Sequence, residues 1–158
     1  MKDDDAAVVD LINSVMDSEF HDAKHAYPIE DVECIEKAYG GIGEAFFVAV
    51  DDKSHKVVGT VAIKKEDGRV ALIRRLFVAP PHRKLMIGKR LIERALNFCR
   101  EVGYQEAVFK TTSKMSGAID LCRKNGFIQR AHIVLGPIEL IKLSLCLRED
   151  VHAMKGRS

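Results

Sequence analysis

A short basic segment in the middle of the chain has the residue types of an anion-binding site. It reads Arg83-Lys84-Leu85-Met86-Ile87-Gly88-Lys89. The apolar run Val70–Val78 predicts a strand before it, which Pro80 and Pro81 end because proline cannot donate to a sheet ladder. Apolar residues four apart then predict a helix from about Gly88. Unpaired amides at the start of that helix, beside these cations, predict a site for a phosphate or pyrophosphate.

This strand, proline turn and basic loop resemble the acyl-CoA-binding motif of the GNAT N-acetyltransferase superfamily. In that family the loop reads Arg/Gln-x-x-Gly-x-Gly/Ala and opens a helix. Arg83 and Gly88 match the pattern, whereas Met86 stands where the family has its middle glycine. Glycine adopts a positive φ freely and methionine does not, so the shape of the loop depends on Met86.

A second segment strengthens the resemblance. Residues 118–127 read Ala-Ile-Asp-Leu-Cys-Arg-Lys-Asn-Gly-Phe, and the family's last helix ends in Ala-x-x-Leu-Tyr-x-x-x-Gly-Phe. Gly126 and Phe127 alone would fit a helix end followed by a core aromatic. Two motifs in the family's order, with the right elements between them, are much more specific.

Local patterns outline the elements of the chain. Helices are predicted over residues 3–17, 30–39 and 88–102, and from Thr112 or Ser113 to Asn125. Strands are predicted over residues 45–50, 57–63, 70–78, 105–111, 128–135 and 138–147. A helical crossover joins the third and fourth strands, which predicts that this pair is parallel.

The resemblance implies a mixed α/β (α+β) fold with a GNAT-like, mostly antiparallel sheet of about six strands flanked by about four helices. We expect one acyltransferase domain over residues 1–147 and a mobile C-terminal tail over residues 148–158. The family opens with a strand, but here the chain begins almost inside the first helix. That strand is expected to be missing, very short or lost by truncation, and the open sheet edge makes a homodimer plausible.

The resemblance also implies the co-substrate and its contacts. Acetyl-CoA would be held at its pyrophosphate by the backbone of residues 83–89. The family's central strand pairs with the pantetheine amides and stabilises the oxyanion through a backbone amide. Here those residues are Leu76, Phe77 and Val78, which would also fit a plain buried strand.

The usual proton-handling residues of the family are absent. Leu72 stands at the position of the glutamate base, and Cys122 stands at the position of the tyrosine acid. A thiol can donate a proton, but a small packed helix residue is the simpler interpretation of Cys122. The alternative bases Glu44, His132 and Glu139 also fit solvated surface residues.

Composition excludes several classes of protein. The chain has 158 residues, 47% of them hydrophobic and 30% charged, which is typical of one globular domain. A net charge of +2 disfavours a nucleic-acid partner. No apolar run is long enough to span a membrane.

No metal is expected. His21 and His25 could be metal ligands, but a zinc site needs three or four ligands and no third one lies nearby in the sequence. Four scattered cysteines are typical of free thiols in a cytoplasmic protein.

The acceptor is expected to be a small-molecule or peptide amine bound between two segments. These are residues 18–29, with His21, His25 and Tyr27, and residues 132–140, with Glu139. The acidic residues Asp17, Glu19, Asp22 and Glu30 would attract a cationic amine or simply be solvated. The first hypothesis is an N-acetyltransferase that acts by direct attack in a ternary complex. The alternatives are an acyl-CoA-binding sensor or regulatory domain and, less well supported, another kind of phosphate binder.

Overall fold

The computed structural model describes residues 2–19 and 30–147, which form five α-helices, one 3₁₀ segment and six strands. The α-helices are α1 (Lys2–Glu19), α2 (Glu30–Glu33), α3 (Ile35–Tyr39), α4 (Ile87–Val102) and α5 (Ser116–Lys124), and the 3₁₀ segment is Pro80–Leu85. The strands are β1 (Ala45–Val50), β2 (Val57–Lys65), β3 (Val70–Val78), β4 (Glu106–Thr112), β5 (Ile128–Leu135) and β6 (Ile138–Cys146). The predicted tail lies outside the described residues.

All six strands form one mixed sheet in the order β1-β2-β3-β4-β6-β5. Only β3 and β4 are parallel, and every other neighbouring pair is antiparallel. The predicted fold class and the predicted parallel pair are therefore confirmed. Within the described part of the chain no strand precedes α1, and β1 lies at an edge of the sheet.

Helices cover both faces of the sheet and create two apolar clusters. The larger one joins α4 and α5 to the sheet through side chains such as Ile73, Leu76 and Ile92. The smaller one joins α1, α2 and α3 to the opposite face, where Ile12, Val32 and Phe77 are buried. The sheet is thus the middle of three layers.

Two helix predictions differ from the structure. The helix predicted over residues 30–39 is interrupted at Cys34, which gives two short helices. The predicted cap at Thr112 or Ser113 is wrong, because α5 begins only at Ser116. Thr112 still pairs with Leu140 of β6, and the Ser113 amide donates to the Glu139 carbonyl at 2.9 Å. Sheet pairing therefore holds these two residues in the sheet and delays the helix.

A bulge in β3 reorients the second half of that strand. Its register with β2 shifts between Thr60 and Ala62, and Arg75 has a φ of 53°. Because of the extra residue, Ile73 and Leu76 lie in the same apolar cluster although they are three positions apart. A regular strand would place them on opposite faces.

Asp31 of α2 holds this bulge in place. Arg75 donates to both carboxylate oxygens of Asp31, and its Nε lies 3.0 Å from Oδ2. Tyr39 donates to the same carboxylate, and Thr60 Oγ1 donates to the Arg75 carbonyl at 2.6 Å. Burial alone would raise the pKa of Asp31, but the hydrogen bonds from Arg75 and Tyr39 and the charges of Arg75 and Arg74 lower that pKa below its ordinary 3.8.

Replacing Asp31 with asparagine should lower the free energy of unfolding by about 3 kcal/mol, because it leaves the buried Arg75 charge without its counter-ion. A lowered carboxyl pKa means that the ion pair stabilises the fold above pH 3.8 and that this stabilisation is lost as pH falls below it. Urea unfolding between pH 2.5 and 7 would show a weaker acid dependence in the variant than in the wild type.

The matched control is Glu33→Gln, on an exposed residue of the same helix. That variant should unfold like the wild type at every pH. A stability loss in Asp31→Asn no larger than in this control would contradict a structural role for the ion pair.

Candidate functional site

A cleft opens in the sheet where β3 and β4 separate. The two strands pair from Val70 with Glu106 to Ile73 with Phe109, and the pairing ends there. Beyond that point β3 stays on β2, and β4 stays on β6. The cleft encloses about 180 Å³. Its lining is Leu72, Ile73, Arg74, Arg75, Leu76, Phe77, Phe109, Lys110, Thr111, Met115 and Ala118. The bulge directly follows the last paired residue, so it bends β3 away from β4.

Backbone groups of β3 face this cleft beyond the bulge. Phe77 is the register partner of Thr60, and the Ala79 amide donates to the Val58 carbonyl at 2.8 Å, so both are on the β2 side. The Val78 carbonyl instead accepts from Arg83 Nε at 3.0 Å. Since backbone groups alternate along a strand, those of Leu76 and Val78 face away from β2, and Leu76 also lines the cleft. Of the three predicted strand residues, Phe77 is the one whose backbone faces β2.

The predicted loop and helix start lie at the end of β3. Residues 80–85 form the 3₁₀ segment, and Met86 then takes the left-handed conformation, with φ 65° and ψ 14°. The Arg90 amide donates to the Met86 carbonyl at 3.1 Å. The amides of Ile87, Gly88 and Lys89 precede that bond, so they are the donors that a helix start offers to an anion.

Met86 therefore takes a left-handed conformation, which glycine adopts far more readily than methionine. Its side chain and that of Leu85 are 58% and 63% exposed, so neither is fixed by the core. The left-handed conformation costs an L-residue about 1–2 kcal/mol. The turn is formed although methionine replaces glycine. Met86 therefore affects the stability of the loop, and its shape is kept.

Gly88 allows the helix start to pack closely on its neighbours. A Cβ at this position would lie 3.0 Å from Leu121 Cδ2 and 3.6 Å from Val78 Cγ2. A side chain there would point toward α5 and β3, so its first effect would be on packing. Gly88 thus links the helix start to the strand that lines the cleft.

The basic side chains of the loop differ in their surroundings. Arg83 is exposed and anchors the loop to β3 through Val78. Lys89 is exposed and lies 3.8 Å from Glu93 on the next turn of α4. Lys84 belongs to the 3₁₀ segment, and its side chain lies outside the described atoms. The cations with described side chains thus lie at the surface, near the helix start.

Cys122 lies in the core between α5 and the sheet. Its side chain is 0% exposed, and burial raises the pKa of its thiol to about 12. A thiol with that pKa is a poor proton donor to a thiolate whose conjugate acid has a pKa of about 8.5. Cys122 is also not among the residues that line the cleft. This geometry favours the packing interpretation.

The alternative bases lie away from the cleft lining. Glu44 accepts from the Lys65 amide at 3.1 Å and lies 3.4 Å from Lys64 Nζ. His132 and Glu139 are 2.9 Å apart on the exposed β5–β6 hairpin. Leu72, at the position where the resemblance implies a glutamate, does line the cleft.

The residues predicted to lie near the acceptor are only partly described. Asp17 and Glu30 are exposed. The structure does not describe His21, Asp22, His25, Tyr27 or the side chain of Glu19.

Sequence reasoning missed the cations of the cleft. Arg74, Arg75 and Lys110 line it, and Asp31 of α2 binds Arg75 and lies 4.0 Å from Arg74 Nη2. The signal was two consecutive arginines inside an otherwise apolar strand, which is an unusual place for charge. The bulge explains how two arginines fit in this strand, because it places both of them near the carboxylate of Asp31.

Residues 2–19 and 30–147, which the structure describes, lack two further features. No cluster there contains three or more of His, Cys, Asp and Glu in positions to hold a metal ion. No helix in the same residues has the length and apolarity needed to cross a membrane.

A sequence model of the acetyltransferase (GNAT) family matches residues 10–127, and the chain belongs to that family. Mouse N-acetyltransferase 8 is 36% identical over 103 residues, which cover 61% of this chain and 44% of that protein. The chain spans about half the length of the curated relatives it matches.

Solved structures support the same fold. A GNAT acetyltransferase of Staphylococcus aureus Mu50 superposes with a TM-score of 0.79 at 22% identity, over 93% of this chain and 95% of that one. A GNAT acetyltransferase of Elizabethkingia anophelis, solved with acetyl-CoA bound, has a TM-score of 0.56 at 17% identity and covers 66% and 76%. The recognition of the family from its two motifs is confirmed.

Replacing Met86 with glycine should stabilise the protein by about 0.5–1 kcal/mol, because the strain of the left-handed residue exceeds the extra chain entropy of glycine. CoA should bind the variant at least as tightly as the wild type. Chemical unfolding and titration calorimetry would measure both.

The matched control is Leu85→Gly, since Leu85 is equally exposed but has no positive φ. It should gain no stability. If Met86→Gly destabilised the protein as much as Leu85→Gly, the strain assigned to Met86 would be wrong.

Proposed function

We propose that this protein is an N-acetyltransferase that moves an acetyl group from acetyl-CoA to a primary amine of a small molecule or peptide. In the direct reaction, both substrates are bound together and the amine nitrogen attacks the thioester carbonyl carbon. A C–N bond forms, the C–S bond breaks, the nitrogen loses a proton and the CoA thiolate gains one.

One observation carries the proposal, namely that the cleft and the helix start lie at the two ends of the same short segment. Val78 ends β3 beside the cleft, and Ile87 begins α4 only nine positions later. An extended ligand with an anionic group at one end and an amide-containing arm at the other fits this arrangement. The amides of Ile87, Gly88 and Lys89 would hold the pyrophosphate, and residues 83–86 would support that turn.

The free backbone side of β3 would hold the pantetheine arm. Leu76 and Val78 offer amides on the cleft side, so an amide-containing chain can pair with β3 as an additional strand would. The same amides are suitable donors for the negative charge that develops on the carbonyl oxygen. Removing one such donor typically costs about a hundred- to a thousand-fold in rate. Phe77 supports this strand through its own pairing with β2.

In this proposal the amine loses its proton to water, and the positive charges that line the cleft favour that loss. Among the described residues that line it, none is an aspartate, a glutamate or a histidine. Arg74, Arg75 and Lys110 would lower the pKa of an amine bound beside them, which raises its neutral fraction. Because the leaving thiol is itself acidic, little help from an acid is needed, and Cys122 would only pack.

We propose a single catalytic domain over residues 1–147, since helices on both faces pack on one sheet. The four cysteines are free, which fits a reducing compartment such as the cytoplasm. The edge strand β1 would suit a homodimer.

The proposal predicts that acetyl-CoA binds and that an amine releases its thiol. Thermal melting with acetyl-CoA, CoA and ATP should show stabilisation by the two CoA ligands beyond that by ATP. A thiol-release assay should then show turnover with at least one class of primary amine.

Binding without thiol release across a broad amine panel would favour the alternative, an acyl-CoA-binding sensor or regulatory domain. The absence of stabilisation by either CoA ligand would remove both interpretations, because each requires the site at the start of α4.

A further inference from the structure

Every ionisable side chain that lines the cleft within the described residues is basic. These side chains are Arg74, Arg75 and Lys110. Two described carboxylates reach them from outside the lining, Asp31 from α2 and Glu66 from the β2–β3 turn. Among the described residues, three positive charges against two negative ones leave the cleft positive, which disfavours a polycationic acceptor.

Two of these cations already have close partners. Arg75 is only 4% exposed and donates to both oxygens of Asp31. Lys110 donates to Glu66 at 2.7 Å. Their charges contribute to the field of the cleft, while their donors are directed at these carboxylates.

Arg74 differs, because its guanidinium has donors to spare. Its side chain is 37% exposed, and its Nη2 lies 4.0 Å from Asp31 Oδ2, beyond hydrogen-bond distance. That oxygen already accepts from Arg75 and Tyr39. A guanidinium has five N–H donors in a planar fork, which matches the two oxygens of a carboxylate.

Arg74 lies on β3 just before the bulge, where the pairing of β3 with β4 ends. Arg74 follows the last β3 residue that pairs with β4 and precedes Leu76, whose backbone faces the cleft. Leu72, two positions earlier on the same face of the strand, adds an apolar surface. The cleft therefore offers an apolar wall, a backbone donor and a cation within one short stretch of strand.

We propose that the acceptor is an amine that carries a carboxylate, such as an α-amino acid, and that Arg74 binds this carboxylate. This inference rests on the proposed acetyl transfer and names its substrate class. The carboxylate would pair with the guanidinium of Arg74 and direct the neighbouring amine toward the thioester. Arg74 is thus the residue that determines specificity.

The experiment compares phenylalanine, leucine and glutamine with their C-terminal amides in a thiol-release assay. The wild type should show a kcat/KM at least tenfold higher for the acids than for the amides. Amides have the more easily deprotonated amine, so this preference cannot come from amine basicity. Arg74→Gln should raise KM for the acids by about ten- to a hundred-fold, as expected for the loss of a charged hydrogen bond, and should leave the amides unchanged.

Two further variants make the result specific. Arg74→Lys should recover part of the preference, because it restores the charge but not the fork. Arg69→Gln changes an exposed arginine just before β3, at the end away from the cleft, and should behave like the wild type. Calorimetry should show unchanged acetyl-CoA binding in all three variants.

The outcomes separate the two proposals. Equal transfer to acids and amides, or an equal loss for both in Arg74→Gln, would overturn the role of Arg74 and leave acetyl transfer intact. If the wild type bound acetyl-CoA but acetylated none of these acids and amides, the amino-acid acceptor and the role of Arg74 would be overturned, and the broad amine panel would decide on acetyl transfer. If it failed to bind acetyl-CoA, both proposals would fail.

Discussion

The ion pair between Asp31 and Arg75 supports the shape of the whole site. An arginine with a positive φ inside a buried strand is costly in itself, both for its backbone and for its charge. Two hydrogen bonds to Asp31, and the bond from Thr60 to its carbonyl, offset that cost. The short helix α2 is therefore part of the site, although none of its residues lines the cleft.

The cleft follows from this local distortion. Once β3 bends at Arg75, its pairing with β4 cannot continue past Ile73 and Phe109, and the backbone of Leu76 and Val78 has no neighbouring strand on that side. An edge of this kind is normally a liability, because it invites pairing with other chains. Inside a cleft it becomes a binding surface for an amide-containing ligand. Gly88 completes the arrangement by letting α4 start close to Leu121 and Val78.

Much of the fold was predictable, because it depends on local patterns. Strand β1 and strand β3 have the predicted bounds, and Gly103 ends α4 as expected. The start of α5 was not predictable, since pairing with β6 overrides the capping tendency of Thr112 and Ser113. The family was recognised from two motifs and confirmed, yet the cations of the cleft were overlooked. Whether a strand can hold Arg74 and the buried Arg75 side by side depends on Asp31, which lies more than forty positions earlier in the chain.

The central claim is that the open side of β3 and the start of α4 hold one acyl-CoA molecule. Amide hydrogen exchange, followed residue by residue by NMR with and without acetyl-CoA, tests it most directly. Leu76, Val78 and the amides of residues 87–89 should exchange more slowly when acetyl-CoA is bound, while Phe77, already paired with β2, should change little. Binding of acetyl-CoA with unchanged exchange at Leu76, Val78 and the start of α4 would contradict the account.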